Sequence, residues 1–538
     1  MKNSNYSDWS KEDLVKEIKK LKKRKKYGIV WDEEKTKEKF DIDSENKLPI
    51  LKEVKSKEIQ TDENSSSNIL IEGDNYHSLS VLNYTHAKQV DVIYIDPPYN
   101  TGKEFRYNDR LIDLEDTYRH SKWLSFMKKR LVLARKLLKN SGVIFISIDD
   151  NEQATLKILC DEVFGPGNFI ANIIWQKKYS PQNDAKYFSD MHDFIVVFAK
   201  KKNQGTEKNG WVRNLIPRTD EMNARYKNPD NDPRGLWKPA DLSVKRVTEK
   251  DTYEILTPNG RKVLPPKGRS WVTSKERVKE WIGDNRIWFG KTGNNVPSMK
   301  IFLNEVQQGL VPTTWWNREF AGHNQDAKQE INKLNLKQLF ETPKPVKLIQ
   351  RILQIATNKN DIILDSFAGS GTTAQAVLKL NKEDGGNRKF ILVELEPEIC
   401  KNITSERVKK VIKGYEDVSG TGGGFQYAVL DKKLFNSDGT INDECTFEEL
   451  ASYLYFRETK TILDTKKIKK TLLDTHNDTQ IHLMFDGIGK NNLDRKFLST
   501  LDKNKDKIIY ADKCTLDDST LEKQKTVFKQ IPYEVKKF

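Results

Sequence analysis

Cysteine is scarce in this chain: four residues among 538. Cys160, Cys400, Cys445 and Cys514 are scattered, and no two form a Cys-x-x-Cys pair. That argues against a disulfide framework and against a thiolate zinc site, so no metal is expected and a reducing, cytoplasmic setting fits. Long apolar runs are missing as well. No stretch approaches the roughly 18 residues that a membrane-spanning helix needs. The opening Met1-Lys2-Asn3-Ser4-Asn5-Tyr6 carries no apolar signal core, so no membrane association is expected. A phosphate loop is also lacking. Gly290-Lys291-Thr292 resembles the end of one, but Asn285 stands where its first glycine is required. No internal repeat is found.

What is present is a polar chain long enough for two to four domains. Hydrophobic residues make up 36% and charged residues 32%, which still allows a buried core. The formal charge of +15 fits a polyanionic partner, although a lysine-rich composition produces the same balance.

The run Val90-Asp91-Val92-Ile93-Tyr94-Ile95 reads as a buried strand, and it stops at Asp96-Pro97-Pro98-Tyr99. Two prolines fix φ, and the first also restricts Asp96. The result is a stiff loop that offers a carboxylate, a carbonyl and an aromatic face, groups suited to a flat, amino-bearing ring. On its own this motif equally describes a strand-terminal turn with an exposed tyrosine.

A second motif changes the balance. Asp361-Ile362-Ile363-Leu364 is a short buried strand. Asp365-Ser366-Phe367-Ala368-Gly369-Ser370-Gly371-Thr372-Thr373 follows, and the apolar spacing from Ala374 to Leu380 predicts a helix. Strand, glycine-rich turn and helix form the nucleotide-binding layout of doubly wound α/β folds. Glycine permits close backbone approach, and the helix start offers free N–H groups. The next strand, Phe390-Ile391-Leu392-Val393, ends at Glu394, placed as an acid that binds a ribose diol in such folds.

Asp-Pro-Pro-Tyr together with Phe-x-Gly-x-Gly resembles the amino-methyltransferases of DNA that use S-adenosylmethionine. The catalytic loop precedes the cofactor loop, a permuted order similar to the β class. Ile71-Glu72-Gly73-Asp74-Asn75, Asp96 to Gly102, Asp232-Pro233-Arg234-Gly235-Leu236-Trp237, Glu341-Thr342-Pro343-Lys344-Pro345 and Gly422-Gly423-Gly424-Phe425 narrow the resemblance. The set resembles the modification subunit of type III restriction-modification systems, from about Tyr27 to about residue 460.

That resemblance implies an α/β, doubly wound, mainly parallel, Rossmann-like methyltransferase sheet with an inserted target-recognition domain and extra N- and C-terminal segments. The expected domains are an N-terminal helix and linker (1–68), a catalytic half (69–200), a target-recognition domain (201–339), a cofactor-binding half (340–414) and a C-terminal domain (415–538). A helix is expected over 9–26, with the basic run from Lys19 to Lys26 at its end. Strands are expected at 69–72, 90–95, 143–148 and 194–199, with an amphipathic helix from Trp123 to Leu138. In 201–339, Arg213, Arg218, Arg225, Lys245, Arg246, Arg277, Arg286 and Lys291 alternate with tryptophans. Such cations suit phosphate contact and groove reading. Most of the tryptophans fit an ordinary small-domain core.

The implied chemistry is amine methylation. An exocyclic amine is a poor nucleophile because its lone pair is delocalised into the ring. If Asp96 and the Pro97 carbonyl each accept an amine hydrogen, the nitrogen becomes tetrahedral and its lone pair faces the sulfonium methyl. This is orientation and electrostatics. Pro97 and Pro98 hold the loop, and Tyr99 would stack on a base taken out of the duplex. Phe367, Gly369 and Gly371 would line the adenosyl pocket, with Asp365 at its strand end and Glu394 on the ribose. Asp74 would approach the adenine end and Lys344 the methionine moiety, both by motif position alone. Asp149 and Asp150 could point into the same cleft.

Asp in the first motif position looks like the adenine 6-amino enzymes more than the cytosine 4-amino ones. A carbon-5 cytosine enzyme needs a nucleophilic cysteine after a proline, and none of the four cysteines follows one. The expected partners are double-stranded DNA, a second copy of the chain and a separate restriction (helicase-nuclease) subunit. The alternatives are a solitary DNA methyltransferase and an RNA amino-methyltransferase.

Overall fold

A computed structural model of the chain describes residues 10–15, 48–61, 68–101, 119–203, 209–336, 342–435, 440–442 and 445–533. Residues 11–15 are helical and Ser10 precedes them; residue 9 and residues 16–26 of the helix expected over 9–26, with its basic run, lie outside the described residues. Residues 62–67 of the expected linker, Gly102 and Glu341 lie outside them too. The chain divides into two compact units, residues 1–213 with 313–538, and residues 214–312.

The first unit is organised by one large sheet. Its path runs Leu48–Glu53, Gly424–Phe435, Ile69–Glu72, Lys389–Glu394, Ile362–Asp365, Val90–Ile95, Leu138–Ile148, His192–Ala199, Phe169–Gln176, Trp315–Trp316. The six strands from 424–435 to 138–148 are all parallel. The strands at 192–199 and 48–53 run antiparallel to their inner neighbours. Every residue of Val90–Ile95 is buried, as a strand covered on both faces requires. Its charged member, Asp91, is held by Lys139 at 2.7 Å and by the Ile362 N–H at 3.0 Å. Lys139 belongs to an early part of the 138–148 strand, which starts at Leu138 opposite Val90 and not at the expected Val143.

Connections leave the middle of the sheet in opposite directions. The chain goes from 69–72 through helix Asn75–Thr85 to 90–95, then through helix Arg119–Leu137 to 138–148. It goes from 362–365 through helix Thr372–Asp384 to 389–394, then through the segment 397–413 back to 424–435. Right-handed crossovers running opposite ways put their helices on opposite faces. The packing agrees: 75–85, 119–137 and 153–164 form one layer, while Val346–Ala356, 372–384 and 406–413 form another. This is the doubly wound α/β fold. The strand Phe169–Gln176 is an addition to the sequence expectation. It is only half buried, so its apolar signal is weak. The sheet also takes 48–53 from the N-terminal segment and 424–435 from the C-terminal one.

After it, Leu472–His476, Thr479–Leu483, Asp506–Ala511 and Thr526–Gln530 build a smaller four-stranded sheet whose last three strands are parallel. No described helix is long and apolar enough to cross a membrane.

The second unit, 214–312, is a set of short antiparallel pairs around helix Lys275–Gly283. Leu242, Ile255, Val263, Trp271, Val278, Ile287 and Phe289 form its core. Trp237 packs edge-on against Trp288, and the wholly buried Lys300 is neutralised by Asp230 and Asp232. Arg286 pairs with Glu305 and Asp284, whereas Lys245, Arg246 and Lys291 are exposed.

Candidate active site

The strands 362–365 and 90–95 are neighbours whose connections leave in opposite directions, a topological switch point. Such a crevice, outside the carboxyl ends of the strands, is where open α/β sheets bind ligands. Both loops singled out in the sequence begin there: Asp96 follows Ile95, and Ser366 follows Asp365.

The first loop is fastened from several sides. Asp96 accepts a hydrogen bond from the Tyr99 hydroxyl at 2.9 Å on Oδ1 and faces Lys344 Nζ at 2.6 Å on Oδ2. Lys344 also lies 5.1 Å from the centre of the Tyr99 ring. Burial and the Asp96 charge push the Tyr99 phenol well above its ordinary range. Pro97 is buried, and the Pro98 carbonyl accepts the Trp123 indole N–H at 2.7 Å.

The second loop turns through two left-handed glycines, Gly369 at φ +49° and Gly371 at φ +77°. A Cβ on Gly371 would stand 3.1 Å from Thr404 Cγ2, so glycine is favoured there by the left-handed conformation and any side chain would need Thr404 to give way. Gly371 caps helix 372–384 without a side chain, leaving the first-turn N–H groups for a ligand. Asp365 is buried, accepts from Thr373 Oγ1 at 2.5 Å and from the Phe367 N–H at 3.1 Å, and is pushed up to about 7 by burial. Glu394 is 3% exposed and accepts from the Gly369 N–H at 2.7 Å and the Glu396 N–H at 3.1 Å. Burial pushes its carboxyl up to about 7 against those two bonds.

Lys344 joins the two loops: its side chain reaches Asp96, while its carbonyl accepts the Thr372 hydroxyl at 3.1 Å. Asp74 caps helix 75–85 through the His77 N–H at 3.1 Å and pairs with the buried Arg130 at 3.1 Å. The neighbouring Asn75 donates to the Ser366 carbonyl at 3.2 Å. Phe367 is 5% exposed and meets Phe126 edge-on at 6.1 Å within the core. Asp149 accepts from Asn151 just after its strand, and burial raises its carboxyl.

Several supporting residues escaped the sequence. Glu152, 1% exposed, accepts from Asn100 Nδ2 at 2.5 Å and is 2.6 Å from His120 Nδ1. It thereby anchors the end of the first loop, where Asn100 takes φ +57°. Asp193 is buried, pairs with Lys177 at 2.7 Å and feels the charge of Lys344; burial raises its carboxyl. Arg407 is wholly buried behind the glycine turn and donates to Gln375, Ser370 and Thr372 at 2.7, 2.8 and 2.8 Å. Only Asn100, set beside Asp-Pro-Pro-Tyr, carried a local signal.

Residues 90–406 match a family model described as DNA methylase. The Mod subunit of the StyLTI type III restriction-modification enzyme of Salmonella typhimurium is 38% identical over 369 residues, 64% of this chain and 54% of that protein. The type II methyltransferase M.KpnI of Klebsiella pneumoniae is 33% identical over 365 residues, 63% of this chain and 83% of that protein. A putative DNA modification methylase of Thermus thermophilus, solved with S-adenosyl-L-methionine, shares 16% identity at a TM-score of 0.34, covering 68% of this chain and 100% of its own. The chain spans about half the length of the StyLTI subunit.

Proposed function

The chain belongs to the DNA methylase family, and from that premise we propose that it transfers a methyl group from S-adenosylmethionine to the 6-amino group of adenine in a short DNA motif. The observation that carries this reading is the meeting of Asp96, Tyr99 and Lys344 with the glycine turn at one switch point.

The residues fit the cofactor. The uncapped start of helix 372–384, the two left-handed glycines and the Glu394 carboxylate at a strand end form a cradle for a nucleoside. S-adenosylmethionine supplies an activated methyl group on sulfur. Glu394 holds the ribose hydroxyls and Gly369 and Gly371 admit the adenosyl moiety, while Asp365 and Arg407 brace the turn from behind. Lys344 neutralises Asp96 and would hold the methionine carboxylate when the cofactor is bound. Asp96 then accepts one amine hydrogen and the Pro97 carbonyl the other. The nitrogen lone pair would attack the methyl carbon in line, displacing the sulfonium sulfur as a neutral thioether, and the surplus amine proton would pass to Asp96 or to water, with no covalent enzyme intermediate. Tyr99 stacks on the base, which leaves the duplex because its amine is paired inside it.

The target-recognition domain is proposed within 201–339, with the compact unit 214–312 as its body and exposed Lys245, Arg246 and Lys291 as phosphate contacts. Likeness to Mod subunits of type III restriction-modification enzymes supports docking of a separate restriction subunit, and a second copy of the chain is proposed beside it. The fuller coverage of a type II methyltransferase favours a second reading, a DNA methyltransferase that acts without such a partner.

The test is transfer from labelled S-adenosylmethionine to unmodified duplex DNA, followed by modification-sensitive sequencing. Methyladenine at one short motif is expected, on one strand only if the chain acts as a type III modification subunit. Incorporation into RNA, or none with the cofactor bound, overturns the substrate assignment.

A further inference from the structure

The most exposed large apolar side chain among the described residues is Phe188, at 95%, and Tyr187 beside it is 82% exposed. Both sit on the loop 177–191, between the strands Phe169–Gln176 and His192–Ala199. The register places this loop. Ile148 pairs with Phe194, and Gln176 pairs with His192. The loop therefore leaves the sheet at the edge where 138–148 ends. That strand is parallel to 90–95, so this is also the edge that carries Asp96.

The loop is held in shape by polar contacts. The Lys177 and Lys178 N–H groups donate to the Met191 carbonyl at 3.0 and 3.3 Å. The Gln182 N–H donates to Ser189 Oγ at 2.7 Å, and the Ala185 N–H closes a turn on the Gln182 carbonyl at 3.2 Å. Lys177 bridges Asp190 of the loop and Asp193 of the strand, each at 2.7 Å, and Asp193 is within electrostatic reach of Lys344 and Asp96. The base of the loop is thus tied by Lys177 to a strand carboxylate that feels the charges of Lys344 and Asp96, while its tip presents bare rings. Cations accompany those rings: Lys186 lies 5.4 Å from the Tyr187 ring centre, and Arg318 lies 3.7 Å from that of Tyr179, itself 57% exposed.

Exposed aromatics cost solvation unless something covers them. A surface that alternates rings with Lys and Arg suits stacked bases on a phosphate backbone. We propose that the tip of loop 177–191, through Phe188 and Tyr187, stacks on the duplex bases beside the extruded target and holds the gap open, with Lys186 and Arg318 on the flanking phosphates. This role rests on the reading of the chain as a DNA methyltransferase that extrudes its base. Apolar wedges between base steps are an established way to hold a distorted duplex.

The experiment uses the full chain and a duplex carrying the sequenced target motif, with 2-aminopurine in place of the target adenine. The wild-type protein should raise its fluorescence, and the double variant Tyr187→Ala, Phe188→Ala should lose most of that rise. The variant's kcat/KM on DNA should fall about 10- to 100-fold, the scale of one or two lost stacks. Its melting temperature and cofactor affinity should match wild type, and Phe188→Trp should retain the signal. Wild-type fluorescence and rate in the double variant overturn the proposal. So does a change confined to oligomeric state, which would assign the rings to a second copy of the chain. Failure of the wild-type protein to methylate any DNA would instead remove the functional reading beneath it.

Discussion

Lys344 Nζ stands 2.6 Å from Asp96 Oδ2, and the Tyr99 hydroxyl donates to Oδ1 of the same carboxylate at 2.9 Å. Each oxygen of the carboxylate that would receive one amine hydrogen therefore already accepts one donor. A substrate amine would share the carboxylate with these donors, and Lys344 is the one whose charge another anion can attract. The ammonium is thus placed to link the acceptor strength of Asp96 to the binding of an anionic group beside it.

Lys344→Ala tests that coupling. With only Tyr99 left on Asp96, cofactor affinity and kcat/KM should each fall about 10- to 100-fold, the worth of a charged hydrogen bond. Lys344→Arg should recover only part, because the guanidinium is a planar fork and not a compact point charge. Calorimetry with S-adenosylmethionine and a methyl-transfer assay check the two quantities separately. Wild-type affinity in Lys344→Ala would remove the cofactor half of the argument.

Asp96→Ala should abolish transfer while DNA binding stays within about threefold, since this carboxylate is assigned to the chemistry and not to the duplex. Tyr99→Phe keeps the stacking face and removes one donor, so a loss of about tenfold or less in kcat is expected. Tyr99→Ala loses the face as well and should cost more. Equal losses in the two Tyr99 variants would place the hydroxyl, and not the ring, at the centre of its role.

The two loops were legible because each is written in consecutive residues: a buried apolar run, then prolines or glycines that only a few backbones accept. The braces were not. Glu152 meets Asn100 across 52 positions and Arg407 meets Ser370 across 37, and neither pairing leaves a periodic trace. Asp193 is the second residue of a strand whose apolar run starts at Phe194, so its pairing with Lys177 was invisible. The reversed direction of the 192–199 strand was equally hidden, because parallel and antiparallel partners can share one apolar pattern. In 214–312, Trp237 and Trp271 went to the core, as tryptophan usually does when its N–H finds a partner; here these are Asp230 and the Tyr253 carbonyl.

Gly371→Ala should lower stability by about 1–2 kcal/mol from the left-handed backbone alone, with a further cost from the 3.1 Å contact to Thr404. Gly385→Ala is the control: its φ is +66° and no atom lies within 4 Å of the added Cβ. It should carry the backbone cost without the crowding and leave cofactor binding intact. Denaturant titration gives the first comparison and calorimetry the second. Equal stability losses in the two variants would mean that Thr404 moves aside freely.

Glu394 yields a pH prediction whose sign is fixed by its burial. Its carboxyl is pushed up to about 7, so between about pH 4.5 and 7 the folded protein keeps a proton that the unfolded chain has released. The contribution of this group to stability is therefore present at low pH and falls as pH rises through that window, by at most about 1.4 kcal/mol per unit. Glu394→Gln, which cannot ionise, should gain stability relative to wild type as pH rises from 5 to 7. Cofactor binding should run the opposite way. Ribose hydroxyls donate to the ionised form, so affinity should tighten up to tenfold per unit as pH approaches 7 and level off above it. In Glu394→Gln it should be weaker and flat. Calorimetry from pH 5.5 to 8.5 measures both proteins, and a flat wild-type profile would take the ribose away from Glu394.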